Sequence, residues 1–417
     1  MTARGQPLDE VAISTFGPYD REGVAAVVGD ADPHEAYPGC PAMVAAVVIP
    51  CLNEAETIAE CVTRARRVLE EAGLQGEVLV VDNGSTDGSG DLARKAGAEV
   101  VEEPRRGYGS AYLAGLAVAR GDYIVMVDAD LTYDFNEIPQ FVRELENGAQ
   151  LVMGNRMQDI KPGAMPLLSR LGNPLLSGFL NVLHRTNVHD AHSGMRALRR
   201  DVLPVLNLRT VGMEFASEMV IRATRERLDV REIPIALHPR VGASKLSPLR
   251  DGWRHLRLIL VYNPTFLFIV PGAVMFVVGS IITLLVFLEV PLFGRNLLVH
   301  SLIFGCLLIL VGVQAIGLGL SARAFGVYFI SEQDHLFQRL RGRLRLEHGL
   351  ALALLVLAAG MALIGVVIGK WAAHGFGTLR EERLAILAAT VIAVGAQIFF
   401  TSFLVSIIGL RRPRDEL

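Results

Sequence analysis

Short apolar runs alternate with amphipathic stretches from Met43 to about residue 153, and long unbroken apolar runs take over beyond residue 264. Met43–Pro50 is continuous and β-branched, the composition of a strand buried on both faces. Ala55–Ala72 carries apolar residues at helical spacing. Glu77–Val81 predicts a second strand, Ser85–Ala96 a helix, Ala98–Val101 a third strand and Ser110–Arg120 a helix. Tyr123–Val127 predicts the fourth strand and Phe135–Asn147 a helix ahead of Gln150–Met153. Strands alternating with helices predict βαβ units and a mostly parallel sheet, an α/β domain over residues 43–249.

Four later segments, about Phe266–Leu288, Leu297–Leu320, Leu350–Gly369 and Leu384–Leu410, reach the roughly 20 apolar residues that a bilayer crossing needs. Residues 264–417 therefore read as an all-α four-helix transmembrane domain. Arg250, Arg254 and Arg257 precede the first segment, Arg323, Arg339, Arg341, Arg343 and Arg345 lie between the second and third, and Arg411, Arg412 and Arg414 follow the fourth. The opposite loops hold Arg295 in one and Lys370, Arg380 and Arg383 in the other. The bias of basic residues predicts a multi-pass protein of the cell membrane, with both termini and the α/β domain in the cytoplasm. Trp253, Tyr262 and interleaved arginines predict an interfacial helix at 250–263. Glycines from Gly312 to Gly319 predict close helix packing. Residues 1–42, polar and without a sustained period, read as a flexible extension with no export signal.

Hydrophobic residues make up 51% of the 417 and charged ones only 20%, an average that hides this split. A net charge of −3 gives no sign of nucleic-acid binding. The four cysteines (Cys40, Cys51, Cys61, Cys306) lack C-x-x-C spacing and read as buried thiols in a reducing compartment.

The candidate chemistry sits at the end of the fourth strand, in Val127-Asp128-Ala-Asp130. Alternation along an extended chain points both carboxylates the same way, and hard oxygen ligands suit Mg²⁺ or Mn²⁺, which bridge nucleotide phosphates. A solvated turn is the other reading of this short motif. The first strand runs into Ile49-Pro-Cys-Leu-Asn-Glu54 without glycine, which disfavours a dinucleotide-binding Rossmann domain, and no P-loop pattern occurs.

Further motifs follow in order. They are Pro50-Cys-Leu-Asn53-Glu54, Val81-Asp82-Asn-Gly-Ser85-Thr-Asp87-Gly88, Gly107-Tyr-Gly109-Ser-Ala111, Asp128-Ala-Asp130, Gly154-Asn-Arg156, Asp190-Ala-His-Ser193-Gly194-Met-Arg196 and Arg240-Val-Gly-Ala-Ser244-Lys245. Together they resemble the family 2 inverting glycosyltransferases of GT-A fold, and more narrowly the polyprenyl-phosphate (dolichol-phosphate-type) hexosyltransferases. The resemblance covers about residues 44–250. It implies transfer of a hexose from a nucleotide sugar, of the GDP-mannose or UDP-glucose type, to a polyprenyl phosphate at the membrane. Pro50, Asn53, Glu54, Asp82 and Gly107 would bind the donor nucleotide, and Asp128 and Asp130 its diphosphate through Mg²⁺ or Mn²⁺. Arg156, Ser193, Arg196, Arg240 and Lys245 would hold the acceptor phosphate, and Asp190 would sit near the reacting centre.

Plainer roles compete: Asn53-Glu54 or Asp87 as helix caps, Arg156 and Arg196 as solvated charges, and Glu214 and Glu218 as an exposed helical pair. The sequence also departs from the family pattern. Thr132 stands where Gln is usual, His189 replaces a common basic residue, and Met195 replaces Phe. Because a phosphate acceptor is already ionised, catalysis would rest on positioning and on metal stabilisation of the leaving group, with inversion at the anomeric carbon. The apolar stretch Met165–Leu183 reads either as a helix packed on the sheet or as a membrane-facing element, with Phe179 and Leu180 as its test positions.

Two other functions fit in outline. A processive polysaccharide synthase would carry Q-x-x-R-W, which this chain lacks. A scaffold or lipid flippase with a relic transferase domain is opposed by the intact Asp82, Asp128, Asp130 and Arg156. The sequence leaves the sugar, the base, the prenyl length and homo-oligomerisation open.

Overall fold

The computed structural model describes residues 44–242, 248–291, 297–329, 346–376 and 381–409. The expected extension 1–42, together with Cys40, Ser244 and Lys245, lies outside them. The chain divides into two compact units between Leu258 and Ile259.

The first unit is a seven-stranded mixed sheet covered by helices. In chain order it comprises β1 (Ala45–Cys51), α1 (Ile58–Glu71), β2 (Gly76–Asp82), α2 (Ser89–Lys95), β3 (Glu99–Glu102), α3 (Tyr108–Val118) and β4 (Tyr123–Met126). A 3₁₀ turn at Phe135–Glu137 leads into α4 (Ile138–Glu146), β5 (Leu151–Ile160), α5 (Leu167–His184) and β6 (Arg196–Arg199). After a second 3₁₀ turn come α6 (Leu203–Leu206), α7 (Phe215–Arg225), β7 (Val230–Leu237) and α8 (Pro248–Val261).

The strand order is β3-β2-β1-β4-β6-β5-β7. The β3, β2, β1 and β4 strands are mutually parallel, as are β5 and β7, while β6 runs antiparallel to both β4 and β5. Apolar runs without alternation become strands buried on both faces: Ala45–Ile49 and Leu79–Val81 are fully buried. The chain leaves β1 for β2 on one side and returns to pair β4 on the other. That switch point places a crevice beyond the carboxyl ends of β1 and β4.

Two expectations need correction. The helix predicted from Ser85 starts at Ser89, because Ser85–Gly88 form a loop bonded to the segment after β1. Asp87 accepts the backbone N–H of Ala55 and of Ser89, both at 3.0 Å, and Gly88 turns the chain at φ +84°. In α5, Leu180 is core at 0% exposure, so it cannot face a membrane. The exposed apolar positions of that helix are Leu167, Leu168, Leu171, Leu175 and Val182.

Among the described residues, the second unit has four helices long and apolar enough to cross a membrane, Thr265–Phe287, Val299–Val327, Leu346–Ala373 and Glu382–Gly409. The first begins as a π-turn at Thr265–Ile269 and continues as α9 (Val270–Phe287). The others lie within α10 (Val299–Phe329), α11 (Leu346–Ala373) and α12 (Glu382–Gly409). α9 packs on α10, which packs on α12, and α11 packs on α12. Gly272 and Gly312 face one another where α9 crosses α10, and a Cβ on Gly312 would stand 2.6 Å from the Gly272 carbonyl oxygen. The absence of side chains lets these backbones touch.

Gly312→Val therefore forces α9 and α10 apart, at a cost of about 1–3 kcal/mol from overpacking. Its detergent-solubilised unfolding midpoint should fall below wild type, and an unchanged midpoint would refute the backbone contact.

Candidate active site

The crevice beyond β1 and β4 is a cleft of about 340 Å³ whose lining includes Pro50, Glu54, Gly107, Asp128, Asp130 and Arg240. Six of the residues predicted from the sequence thus come together. Asn53 and Asp82 act one step behind. Asn53, at φ +51°, accepts from Thr86 N at 2.8 Å and donates its own N–H to Ser85 Oγ at 3.0 Å. Asp82 accepts from Ser85 N at 2.8 Å. The Asn53 bonds and that of Asp87 to Ala55 fasten the loops after β1 and β2 to each other, and Asp82 shapes the second loop. The α1 N-cap is Thr57 and makes no side-chain capping bond, so neither Asn53 nor Glu54 caps that helix.

Asp128 and Asp130 differ in their surroundings. Asp128 Oδ1 accepts from Tyr108 Oη at 3.0 Å and Tyr112 Oη at 3.4 Å. Gly194 presses on the other side of the carboxylate, where a Cβ would overlap it. Removal from bulk water, together with the charge of Asp130, pushes the Asp128 carboxyl up to about 7. Asp130 Oδ1 accepts from the Thr132 hydroxyl at 2.6 Å and the Thr132 N–H at 3.1 Å. Its Oδ2 lies 3.3 Å from Arg240 Nη1. Thr132, at the position where the family pattern has Gln, therefore orients Asp130.

A second cluster adjoins the first. Arg156, near the middle of β5, grips Asp190 with Nε at 2.7 Å and Nη2 at 2.8 Å, a bidentate pair in which Asp190 is fully buried. Burial would raise the Asp190 carboxyl, but Arg156 overrides it and holds it below the usual range. Glu232 of β7 accepts the backbone N–H groups of His189 at 2.9 Å and Asp190 at 3.0 Å, and the His189 ring sits 2.7 Å from it. Tyr133 joins the clusters: its oxygen accepts from Gly194 N at 2.7 Å and lies 3.4 Å from Arg156 Nη1. The Ser193 hydroxyl is fully buried and without a hydrogen-bond partner.

Arg196, expected at the acceptor phosphate, is 1% exposed and points inward. Its Nε, Nη1 and Nη2 donate to the carbonyls of Ser193, Ala216 and Ala191 at 2.7–2.8 Å. It braces the 191–194 loop against α7 and has no fork left for a phosphate. Arg240 lines the cleft beside Asp130 and donates to Glu54 Oε1 at 2.6 Å. Of the acidic pair, Glu214 stands at the N-cap of α7, while Glu218 is fully buried and accepts from Thr210 N and Oγ1, both at 2.8 Å, so it holds a loop.

Tyr108, Tyr112, Tyr133, Glu232 and the group His192, Ser217 and His255 were not singled out from the sequence. Ser217 Oγ lies 2.8 Å from His255 Nδ1 of α8, and the His192 and His255 rings meet edge-on at 4.4 Å. Burial, aided by the charges of Arg196 and Arg254, pushes His255 down to about 4. Tyr108, between Gly107 and Gly109, and His192, between Asp190 and Ser193, carried a local signal through the motifs that contain them.

The chain matches Glycosyl transferase family 2 over residues 46–206 and the Glycosyltransferase family 2 C-terminal transmembrane region over 320–409. It is 39% identical over 366 residues to the low-salt glycan biosynthesis hexosyltransferase Agl6 of Haloferax volcanii, covering 87% of this chain and 88% of that protein. It is also 34% identical over 209 residues to the dolichyl-phosphate hexose transferase of the same organism, covering 50% of this chain and 88% of the relative. A GT-A domain with a carboxylate pair at its switch point, followed by membrane helices, defines a membrane-bound sugar transferase. The chain belongs to glycosyltransferase family 2.

If Arg196 is an internal brace, Arg196→Lys leaves two carbonyls without partners, at about 1–3 kcal/mol each. Thermal inactivation in detergent should then move to clearly lower temperature. An unchanged inactivation profile with a raised KM for a phosphate acceptor would restore the expected role.

Proposed function

We propose that this protein transfers a hexose from a nucleotide sugar to the phosphate of a polyprenyl lipid at the cytoplasmic face of the cell membrane, inverting the anomeric carbon. The observation that carries the reading is the adjacency of two unlike clusters. The carboxylate pair Asp128 and Asp130 opens on the cleft, and the Arg156–Asp190 ion pair, with Ser193, is linked to it through Tyr133 and Gly194. A relative whose name states dolichyl phosphate and hexose supports the acceptor and sugar classes.

Among the described residues no group of three or more His, Cys, Asp or Glu side chains gathers as a metal site. Two carboxylates suit Mg²⁺ or Mn²⁺, which take their remaining ligands from phosphates and water. The raised Asp128 carboxyl fits the same reading, since a dication would relieve the repulsion between it and Asp130. Bound there, the cation would neutralise the donor diphosphate and stabilise it as a leaving group. The residues of the chain supply the rest. Pro50, Glu54 and Gly107 line the nucleoside side of the cleft, with Asn53 and Asp82 fixing their loops. Tyr108 and Tyr112 orient Asp128. Arg156 and the unpartnered Ser193 hydroxyl would hold the acceptor phosphate, with Lys245 as a further cation. The acceptor oxygen is already ionised, so in-line attack needs positioning rather than a strong base.

Residues 43–249 form the catalytic domain in this reading, 250–263 an interfacial helix and 264–417 the membrane anchor. The basic flanks put both termini in the cytoplasm. The exposed leucines of α5 lie on the bilayer surface and present the lipid to the cleft.

Purified membranes given radiolabelled GDP-mannose, UDP-glucose or UDP-N-acetylglucosamine should move label from one of them into organic-extractable lipid. The transfer should depend on Mg²⁺ or Mn²⁺ and be lost in Asp130→Asn. No transfer from any of the three, or undiminished transfer in the variant, overturns the proposal. For α5, Leu171→Asp with Leu175→Asp should lower turnover on a long polyprenyl phosphate in vesicles while sparing a short, water-soluble prenyl phosphate. An equal loss on both acceptors would refute the membrane-facing role.

A further inference from the structure

We propose that Arg240 is a displaceable counter-ion that keeps a bare divalent cation off Asp130 and yields to one arriving with a diphosphate; this rests on the metal reading of Asp128 and Asp130. Asp130 has one oxygen to offer. Its Oδ1 already takes two bonds from Thr132, at 2.6 and 3.1 Å. Its Oδ2 faces Arg240 Nη1 at 3.3 Å, and the other end of the guanidinium donates to Glu54 Oε1 at 2.6 Å. The three side chains are 13–19% exposed, so solvent screens them only in part.

The chain delivers Arg240 there by backbone pairing. Tyr133 forms an antiparallel bridge with Leu237, His238 N donates to Thr132 O at 2.9 Å, and Val241 N donates to Asp130 O at 3.3 Å. The segment after β7 thus lies alongside the Asp130 loop, and its arginine rests on the loop's carboxylate. The Nε of Arg240 is buried without a hydrogen-bond partner, so the guanidinium is parked with donor capacity to spare.

A dication on Asp130 Oδ2 and a guanidinium within 4 Å of the same oxygen repel each other. The cation alone must therefore bind against Arg240. A cation carrying a nucleoside diphosphate brings negative charge that the planar fork of Arg240 can grip, so the displaced arginine regains a partner. The device favours the metal–nucleotide complex over the free metal. Arg240 acts here as a positioning residue for the donor.

The test is Mn²⁺ binding to the detergent-solubilised full chain without nucleotide, read from the free Mn²⁺ electron paramagnetic resonance signal. Arg240→Met and Arg240→Gln should each bind Mn²⁺ at least about tenfold more tightly than wild type, because an opposing charge in a partly desolvated site is gone. Arg254→Met removes an equal charge from the cleft wall away from Asp130 and should change affinity less than about threefold. Added UDP or GDP should narrow the gap between wild type and the Arg240 variants. Equal or weaker Mn²⁺ binding in both Arg240 variants overturns the proposal, as does a gain in Arg254→Met as large as theirs. If Mn²⁺ binding in those cases is still lost in Asp130→Asn, the metal site stands and only the counter-ion role falls. Mn²⁺ binding indifferent to Asp130→Asn overturns both.

Discussion

The Asp128 carboxylate is the contact on which the site depends. It follows β4 directly, and three separate parts of the chain close on it. The first two turns of α3 bring Tyr108 and Tyr112, the 190–194 loop brings Gly194, and the backbone beyond Asp128 brings Asp130. A carboxylate set beside a second carboxylate is costly unless a cation or hydrogen bonds compensate. Two phenol hydroxyls and the more distant positive charges of Arg156 and Arg240 compensate it in part, leaving its carboxyl near 7. The fold thus holds a charge that is incompletely neutralised at the point where an open α/β sheet offers its crevice.

The same contact explains the spacing of the motifs. Gly194 must be glycine because the carboxylate occupies the space of a Cβ. Arg196, two residues on, ties the loop carbonyls to α7, which fixes Gly194 in place. Asp190, four residues before it, is pinned by Arg156 and by Glu232. One stretch of the chain is thereby a brace for α7, a wall for Asp128 and the partner of Arg156 at once. In the proposed reaction, donor and acceptor phosphates would meet on either side of Tyr133.

The βαβ alternation was legible as far as β5 because β1, β2 and β4 are parallel strands built on buried apolar runs, and β3 and β5 each carry a short apolar stretch. The later strands were not placed. β6 is only four residues, Arg196–Arg199, with arginine at both ends, and it runs antiparallel between β4 and β5. β7 holds Arg231 and Glu232 side by side and Pro234 within it, and pairs β5 from far along the chain. The membrane segments read well, because length and unbroken apolarity suffice for a spanning helix. Of the site, the carboxylates that end strands and the arginines of the motifs were both visible, but what each arginine pairs with was not. Arg156 and Arg196 look alike in a motif, yet one pairs a buried carboxylate and the other three backbone carbonyls. That difference is made by tertiary contacts, as is the pairing of Arg240 with Glu54, 186 residues away. Tyr133 and Glu232 were invisible for the same reason.

The central claim is that Asp128 and Asp130 hold a donor diphosphate through a divalent cation. It is tested most directly by pulsed electron–nuclear double resonance on Mn²⁺ bound to the full chain in the presence of a nucleoside diphosphate. Phosphorus couplings from the diphosphate should appear in the wild type and vanish in Asp128→Asn as the protein-bound Mn²⁺ is lost. The same phosphorus couplings from protein-bound Mn²⁺ in the variant, or none in the wild type at saturating nucleotide, would contradict the account.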